Sequence, residues 1–555
     1  MIENPAPPNR QHPLENHFRT DSHLTRCILL LEFLLRLWKA SGTFLNLDEA
    51  MHFLAANKLS LAEAYRASLG LAHPPLLILF LQVWRRLGTS ELFLRLPSVV
   101  AGTIFCWIFF KWLTRLLGPT VGWCGFILVG FLPPLVELSA EVRQYPLLLC
   151  FLIAAAYTLE LALGQSSGGK LLLFFAFLYL AMLTHFSAIL FAGAVGAYSL
   201  WRLISAPPPR RVVAVWIAGQ IGALGLLVFL YRTQISNLRG STAAQHMHRL
   251  LANSYFHRGH DHPLLFVFAR TFGVFQYSFG QLVVGDLAGV LFLAGVVLLL
   301  NGKGGQEQPG PSPRQLGSFL ALPFVINCVA AIMDRYPYGG TRHSAFLVPF
   351  AVAGVSLGLT QLTRQKFALA LGVALLTIAV CQGFGAPHRP YLLREDQRRR
   401  NMTQAIDAIR QKVAPADILF VDFQTSFLLR YYLCPDAVPG GSPASGFRTY
   451  SCDGDRVIST NSETPILAAD TFFERWNDLV STYNLTSGQT VWIFQAGWDI
   501  GLARGLQEKV PEFHDLKSQS FGRNVSMFRL TAGQPLPRPV KPDSINCRSG
   551  SGFAN

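Results

Sequence analysis

Two adjacent carboxylates, Asp48 and Glu49, open the stretch NLDEAMHFLAANKL just past a long apolar run. A carboxylate pair at the edge of apolar chain is costly to bury and suits proton abstraction or cation binding. The same pair also reads as a helix start, with Asp48 as cap and Glu49 favouring the helix dipole. HPPL follows at 73–76. Its prolines break one helix and begin another, which leaves His73 at the boundary of an apolar segment, either for use or merely as its polar flank. In SELFLRLPS (90–98), Glu91 and Arg95 have the spacing of an ion pair on a helix surface. SAEVRQYPL (139–147) sets Glu141, Arg143 and Tyr145 between two apolar runs. An arginine there can grip a phosphate with two N–H groups, or simply extend its charged head towards water.

The last cluster of this kind, MDRYPYGGTRH (333–343), gathers Arg335, Arg342 and His343 with Tyr336 and Tyr338. A basic, aromatic, glycine-containing loop suits an anionic headgroup that carries a lipid tail. An aromatic belt at a membrane surface is the plainer account, although two arginines on an outer loop oppose the usual charge bias and so favour function. Between 232 and 262 stand His246, His248, His257, His260 and His262 with Asp261. Two HxH pairs in a loop specify little, and a solvated polar loop explains them more simply than a metal does.

The elements that must position these residues are membrane spans. Of 555 residues, 51% are hydrophobic and 14% charged, and the mean hydropathy is +0.33. An ordinary soluble domain has about 25% charged residues. That imbalance excludes a disordered chain, a simple soluble enzyme and a coiled coil. Residues 1–384 carry a net charge of +13 and the remainder only +2. The basic excess therefore belongs to loop ends, where it fixes orientation and meets membrane lipids, and no compact basic domain exists to bind nucleic acid.

Thirteen apolar runs lie between 24 and 385: 24–45, 74–88, 95–114, 119–136, 145–163, 170–183, 185–204, 212–231, 263–283, 286–300, 316–333, 344–361 and 367–385. They predict a mainly α, polytopic bundle of about 12–13 transmembrane helices over 24–385, with 45–73 as its first outer loop. The polar 1–23 reads as a disordered cytoplasmic lead without a cleavable signal. Arg210–Arg211, Lys303 with Arg314, and Arg364 with Lys366 mark cytoplasmic loops, which puts 45–73, 232–262, 334–343 and everything after 385 outside. Between 73 and 145 the bias conflicts with itself. Arg85–Arg86 and Lys111 with Arg115 both look cytoplasmic across one crossing, so one helix there is expected not to span fully.

After 385 the composition becomes that of a soluble domain. ILFVDF (418–423), TVWIFQ (490–495) and NVSMFRL (524–530) read as strands, with helices after the first two, and predict an extracytoplasmic α/β domain over 386–532. Residues 533–555 read as a flexible tail. A Cys434–Cys452 bridge would form if this domain lies outside. No G-x-G-x-x-G or P-loop offers a nucleotide site. Sequons at Asn401, Asn484 and Asn524 would matter only in a eukaryotic secretory lumen.

In their order, DEA (48–50), HPPL (73–76), S-E-x-x-x-R-L-P-S (90–98) and R-x-Y (143–145), the motifs resemble the GT-C superfamily of polyprenyl-phosphate-sugar glycosyltransferases. The nearest types are the bacterial protein O-mannosyltransferases and lipid A aminoarabinose transferases of family 39, and the resemblance covers about 24–384. It implies a GT-C bundle in which Asp48 is the general base that activates an acceptor and Glu49 its acidic partner. It further implies a donor-phosphate and substrate site formed by His73, Arg143 and Tyr145, joined more loosely by Arg342, Arg335 and Tyr338. The partners it implies are a polyprenyl-phosphate sugar donor and a lipid, protein or polysaccharide acceptor, in a bacterial inner membrane. Some members use a divalent metal; here the ligand set is unknown beyond the acidic pair and scattered histidines. A transporter or flippase of lipid-linked sugars is the alternative. It would call for charges inside several spans, where this sequence has chiefly Glu32 and Arg36.

Overall fold

The computed structural model describes residues 22–238, 240–303, 310–383, 398–440, 446–452, 454–462, 464–497, 500–509, 513 and 515–532. Of the lead expected over 1–23, residues 1–21 lie outside the described residues, as does the tail at 533–555, while Ser22 and His23 already belong to the first helix. Backbone contacts divide the chain into two compact units, one of Met1–Gly42 with Ala55–Leu393, the other of Thr43–Leu54 with Arg394–Asn555. The segment bearing Asp48 and Glu49 thus groups with the C-terminal unit.

The first unit is helical. Its chain begins with α1 (Ser22–Gly42); α2 (Leu47–Ala56) starts in the inserted segment, and α3 (Leu61–Ser68), α4 (Leu76–Trp84) and α5 (Glu91–Leu117) follow. Next come α6 (Pro119–Phe131), α7 (Pro133–Ser139), α8 (Tyr145–Gly164), α9 (Gly168–Thr184), α10 (Ser187–Ser205) and α11 (Arg210–Leu230). The series closes with α12 (Thr242–Leu250), α13 (Pro263–Phe279), α14 (Leu282–Leu300), α15 (Pro313–Ile332), α16 (Val348–Leu362) and α17 (Phe367–Gly383). Hydroxyl caps set several starts. Ser90 accepts from the Phe93 amide, Ser167 from Lys170, and Ser312 exchanges a full capping box with Gln315. Gly118, at φ 92°, makes the reversal between α5 and α6 in a conformation that side chains resist.

Each of the thirteen apolar runs is helical, but they are not thirteen spans. Among the described residues seven helices are long and apolar enough to cross a membrane, or eight when the bent pair α6–α7 counts as one, which makes the chain an integral multi-pass membrane protein. α9 and α17 are shorter apolar helices. α1 carries Glu32, Arg36 and Lys39, all buried. α4 has nine residues, so it reaches only about 13 Å, against a hydrocarbon core of about 30 Å. That resolves the charge conflict between 73 and 145. The run at 74–88 turns back without crossing, and α5 followed by α6–α7 then returns the chain to the end it left. Inside the bundle Glu160 pairs with Arg202 at 2.9 Å and accepts from Tyr198, so two further buried charges neutralise each other.

The second unit is a six-stranded sheet in the order β2-β3-β1-β4-β6-β5. β1 (Ile418–Val421) runs parallel to both β3 (Asp455–Thr460) and β4 (Thr490–Ala496). β2 (Phe447–Cys452) pairs antiparallel with β3, and β6 (Val525–Thr531) with β4 and β5 (Gln519–Ser520). β1 is buried on both faces, as a central parallel strand must be. Its alternate residues divide two cores. Leu419 and Val421 join α18 (Arg399–Lys412) and α19 (Phe423–Leu433), while Ile418 and Phe420 join α20 (Ala469–Tyr483) and α21 (Leu502–Lys509). Phe44 and Ala50 complete the first of these cores. Thr43 bridges Arg398, the Leu45 amide donates to the Tyr432 hydroxyl, and the Phe53 ring meets Tyr431 edge-on.

Cys434, just past α19, is disulfide-bonded to Cys452 at the end of β2, 18 residues away. Closing a loop of that size stabilises a fold by about 3 kcal/mol. Replacing both cysteines with serine should therefore lower the denaturant midpoint at which 398–532 becomes protease-sensitive. An unchanged midpoint would remove the bond from the stability account.

Candidate functional site

Four turns of the helical unit converge at one end of its helices. His73 precedes Pro75, which stands at the N-cap of α4. Its ring lies 3.0 Å from the Gln144 side-chain amide, and its backbone carbonyl accepts from Gln234 of the turn after α11. The same ring stacks on His185, with centroids 5.6 Å apart. His185 ends α9, and it also meets the rings of Tyr145 at 5.2 Å and His343 at 6.3 Å. The loops before α4, α8, α10 and α16 therefore share one face, and a helix that failed to span between 73 and 145 is what this sharing requires.

Arg143 is buried in the turn that α7 delivers, with its Nε 3.6 Å from a Glu141 carboxylate oxygen. Arg342 lies close enough to Arg143, Tyr145, His185 and His343 for each to feel its charge. Burial, and then the charge of Arg342, pull the Arg143 guanidinium well below its ordinary range. His185 responds in the same direction. Burial, with His343 and Arg342 nearby, lowers it to about 3, so it is a neutral imidazole at ordinary pH. Its Nδ1 accepts from the Ser187 amide and lies 2.7 Å from the Ser187 hydroxyl, which leaves Nε2 to carry the proton. Tyr336 donates to the His343 carbonyl, and burial raises its phenol well above the ordinary value.

Among the described residues around this cluster, the Tyr145 hydroxyl, Gln144 Oε1, Gln234 Oε1 and Thr341 Oγ1 are buried polar atoms that lack hydrogen-bond partners. Each such atom costs about 1–3 kcal/mol unless a ligand satisfies it. Two cations, neutral imidazoles, a phenol and amide oxygens make a surface that can receive an anion and also hydrogen-bond the groups it carries.

Not every expected residue is brought here. Arg335 is exposed, and Asp334 beside it pairs with His248 at 3.0 Å. Tyr338 is buried elsewhere, its hydroxyl 2.7 Å from Thr271 Oγ1 and its amide bonded to the Ser254 carbonyl. Asp48 and Glu49 belong to the other unit. There the helix cap is made by Asn46, whose side chain accepts from the Glu49 amide while the buried Glu49 carboxylate accepts from the Asn46 amide. The capping bond expected of Asp48 is thus made two residues earlier, and half-buried Asp48 sits in the first turn of α2. Arg95 donates to the Ala40 carbonyl in the last turn of α1. Among the described residues no three His, Cys, Asp or Glu side chains converge as a metal-binding set. In the 232–262 loop, His257 pairs with Asp261. The reading from sequence missed His185 and Gln144. Neither belongs to a spacing pattern, so only their contacts with His73 and Tyr145 mark them.

Residues 72–231 match the family model of dolichyl-phosphate-mannose-protein mannosyltransferases, a stretch that includes His73, Arg143, Tyr145 and His185. The fold is similar to that of ArnT from Cupriavidus metallidurans bound to undecaprenyl phosphate, with a TM-score of 0.50 at 12% identity, over 93% of this chain and 99% of that one. The oligosaccharyltransferase of Archaeoglobus fulgidus, tethered to an acceptor peptide, aligns at a TM-score of 0.45 and 10% identity, over 89% of this chain and 72% of that one. No curated protein sequence matches the chain. The family-model match and the shared fold accord with the GT-C resemblance of the ordered motifs.

An unfolded histidine titrates near 6.5 and His185 near 3, so between those values the unfolded chain binds a proton that the folded one refuses. Stability should accordingly fall as pH drops from about 6.5 towards 3 and be insensitive to this group above that window. Melting temperatures of His185→Gln in detergent should show a shallower acid slope than wild type; parallel slopes would contradict the buried neutral ring.

Proposed function

We propose that the chain is a membrane glycosyltransferase that moves a sugar from a polyprenyl-phosphate donor to an acceptor hydroxyl on the extracytoplasmic face. The observation that carries this reading is the convergence of Arg143 and Arg342 with His73, Tyr145, His185 and His343 at one end of the helices. A lipid phosphate matches that surface chemically. Its prenyl tail stays among apolar helices, and its charge offsets two guanidinium groups. The Cupriavidus metallidurans relative binds undecaprenyl phosphate, which is the donor's leaving group in this proposal.

In the reaction the acceptor oxygen forms a bond to the anomeric carbon as the bond from that carbon to the phosphate oxygen breaks. The acceptor proton passes to Asp48, and the polyprenyl phosphate leaves with the bonding pair. Arg143 and Arg342 stabilise the charge that develops on it, and in-line attack inverts the sugar carbon. Assignment of Asp48 rests on the motif and on chain order, since α3 and the rest of 57–72 contain no helix long enough to cross before His73. Glu49 orders the start of α2 and so supports its neighbour. The Cys434–Cys452 bond supports an oxidising compartment for the sheet unit, and basic loops at Arg210–Arg211 and Arg364–Lys366 support the opposite side for those turns. That orientation fits a bacterial plasma membrane with the sheet unit outside, helping to bind the acceptor.

Purified protein incubated with radiolabelled polyprenyl-phosphate sugars and membrane extract tests the reaction. Wild type should release label from the lipid, and Asp48→Asn should lose about 10²–10⁴ in turnover, the usual worth of a general base. Label that crosses the bilayer of proteoliposomes while remaining on its lipid would instead identify a flippase. Tyr145→Phe separates binding from folding. Removing a buried, unpartnered hydroxyl should leave the melting temperature unchanged or raised, while affinity for undecaprenyl phosphate falls about tenfold. Equal affinity would take Tyr145 out of the donor site.

A further inference from the structure

The turn that carries Arg143 is aimed by a broken helix. α6 and α7 meet at an angle of 57° across Leu132. The break is written in the sequence, because Pro133 and Pro134 have no N–H to give to the carbonyls four residues earlier. Those carbonyls belong to Val129 and Gly130. In an apolar bundle no water replaces the missing donors, so a neighbouring group must.

That group is Arg36 of α1. Its Nη1 donates to the Gly130 carbonyl at 3.0 Å and its Nη2 to Val129 at 3.3 Å. The same guanidinium reaches the Glu32 carbonyl and Cys106 Sγ, and the side chain is wholly buried. Two glycines admit the arrangement. A Cβ on Gly130 would collide with the Glu32 carboxylate, and one on Gly102 of α5 would collide with Ser139, the last residue of α7. Ser139 stands two residues before Glu141, so whatever fixes α7 fixes the approach to Arg143.

We propose that Arg36 is a positioning residue that supplies the two backbone donors the prolines lack, holds the bend between α6 and α7, and thereby sets Arg143 against the donor phosphate. The last clause rests on the function proposed above; the first two do not. A different role for the same atoms would be charge neutralisation of the buried Glu32 one turn away.

Four variants separate these roles, read by amide exchange over 133–146 and by binding of undecaprenyl phosphate in detergent. Arg36→Met should speed exchange across that segment and weaken binding, each by about tenfold, because the Gly130 carbonyl loses its donor and Val129 keeps only the Cys106 thiol. Arg36→Lys keeps a cation and three donors, and should stay within about threefold of wild type on both measures. Glu32→Gln with Arg36→Met should behave as Arg36→Met alone. Adding Arg36→Met to Pro133→Ala with Pro134→Ala should change exchange little, since the backbone then caps itself. Recovery in the Glu32→Gln double variant would overturn the proposal in favour of charge neutralisation, as would unchanged exchange in Arg36→Met. Should Arg36→Met not fold, folding of the double variant with Glu32→Gln is the overturning result and its failure alongside a folded Arg36→Lys the supporting one. Wild type that does not bind undecaprenyl phosphate would dismiss the donor site, while the exchange results still decide the bend.

Discussion

Arg143 is buried beside a second guanidinium, and much of the surrounding structure follows from what that costs. Taking Arg143 out of water is costly, and the charge of half-buried Arg342 adds to that cost. Glu141 offsets part of this. The remaining neighbours are groups that add no positive charge. His185 is held neutral, and tyrosines supply polar atoms without ionising. A site built this way sets two guanidinium groups near each other among neutral rings, an arrangement with the chemistry to hold an anion.

The requirement passes outward from there. A buried cation needs a rigid approach, or it would swing to water. Here the approach is a short helix pinned by prolines on one side and by close glycine contacts on the other. Backbone carbonyls released by those prolines then need donors in a medium that has none, and α1 provides them from within an apolar face. Charges inside a span commonly mark transport paths. Arg36 donates instead to the backbone of the bend.

Much of this was legible in the residues. Every apolar run became a helix, ILFV and TVWIFQ became parallel strands, and Arg143 lies with Tyr145 at the turn between two helices. Length was less legible. The run at 74–88 is apolar enough to pass for a span, but the prolines before it and Trp84 at its end leave only nine helical residues. The hairpin of β2 and β3 went unmarked, although Asp-Gly between alternating strands is a strong turn signal. Arg335 and Tyr338 looked like site residues because they share a loop with Arg342. Adjacency in a loop says nothing of which way successive residues face, and the left-handed Asp334 turns the chain away. His185 was overlooked because a lone histidine has no spacing to recognise; only contact with His73, Tyr145 and His343 gives it meaning.

The strip 43–54 finds its hydrophobic partners very late in the chain. Leu45 and Tyr432, which share a hydrogen bond, are 387 residues apart. During synthesis this strip emerges first and must wait, unpacked, until the helices are inserted and the final unit has been made. Its folding therefore waits on synthesis of the sheet unit. A polypeptide cut before residue 398 would hold every helix of the bundle and still leave the acidic motif without its fold. Synthesis of the sheet unit and ordering of this strip are, by this wiring, one event.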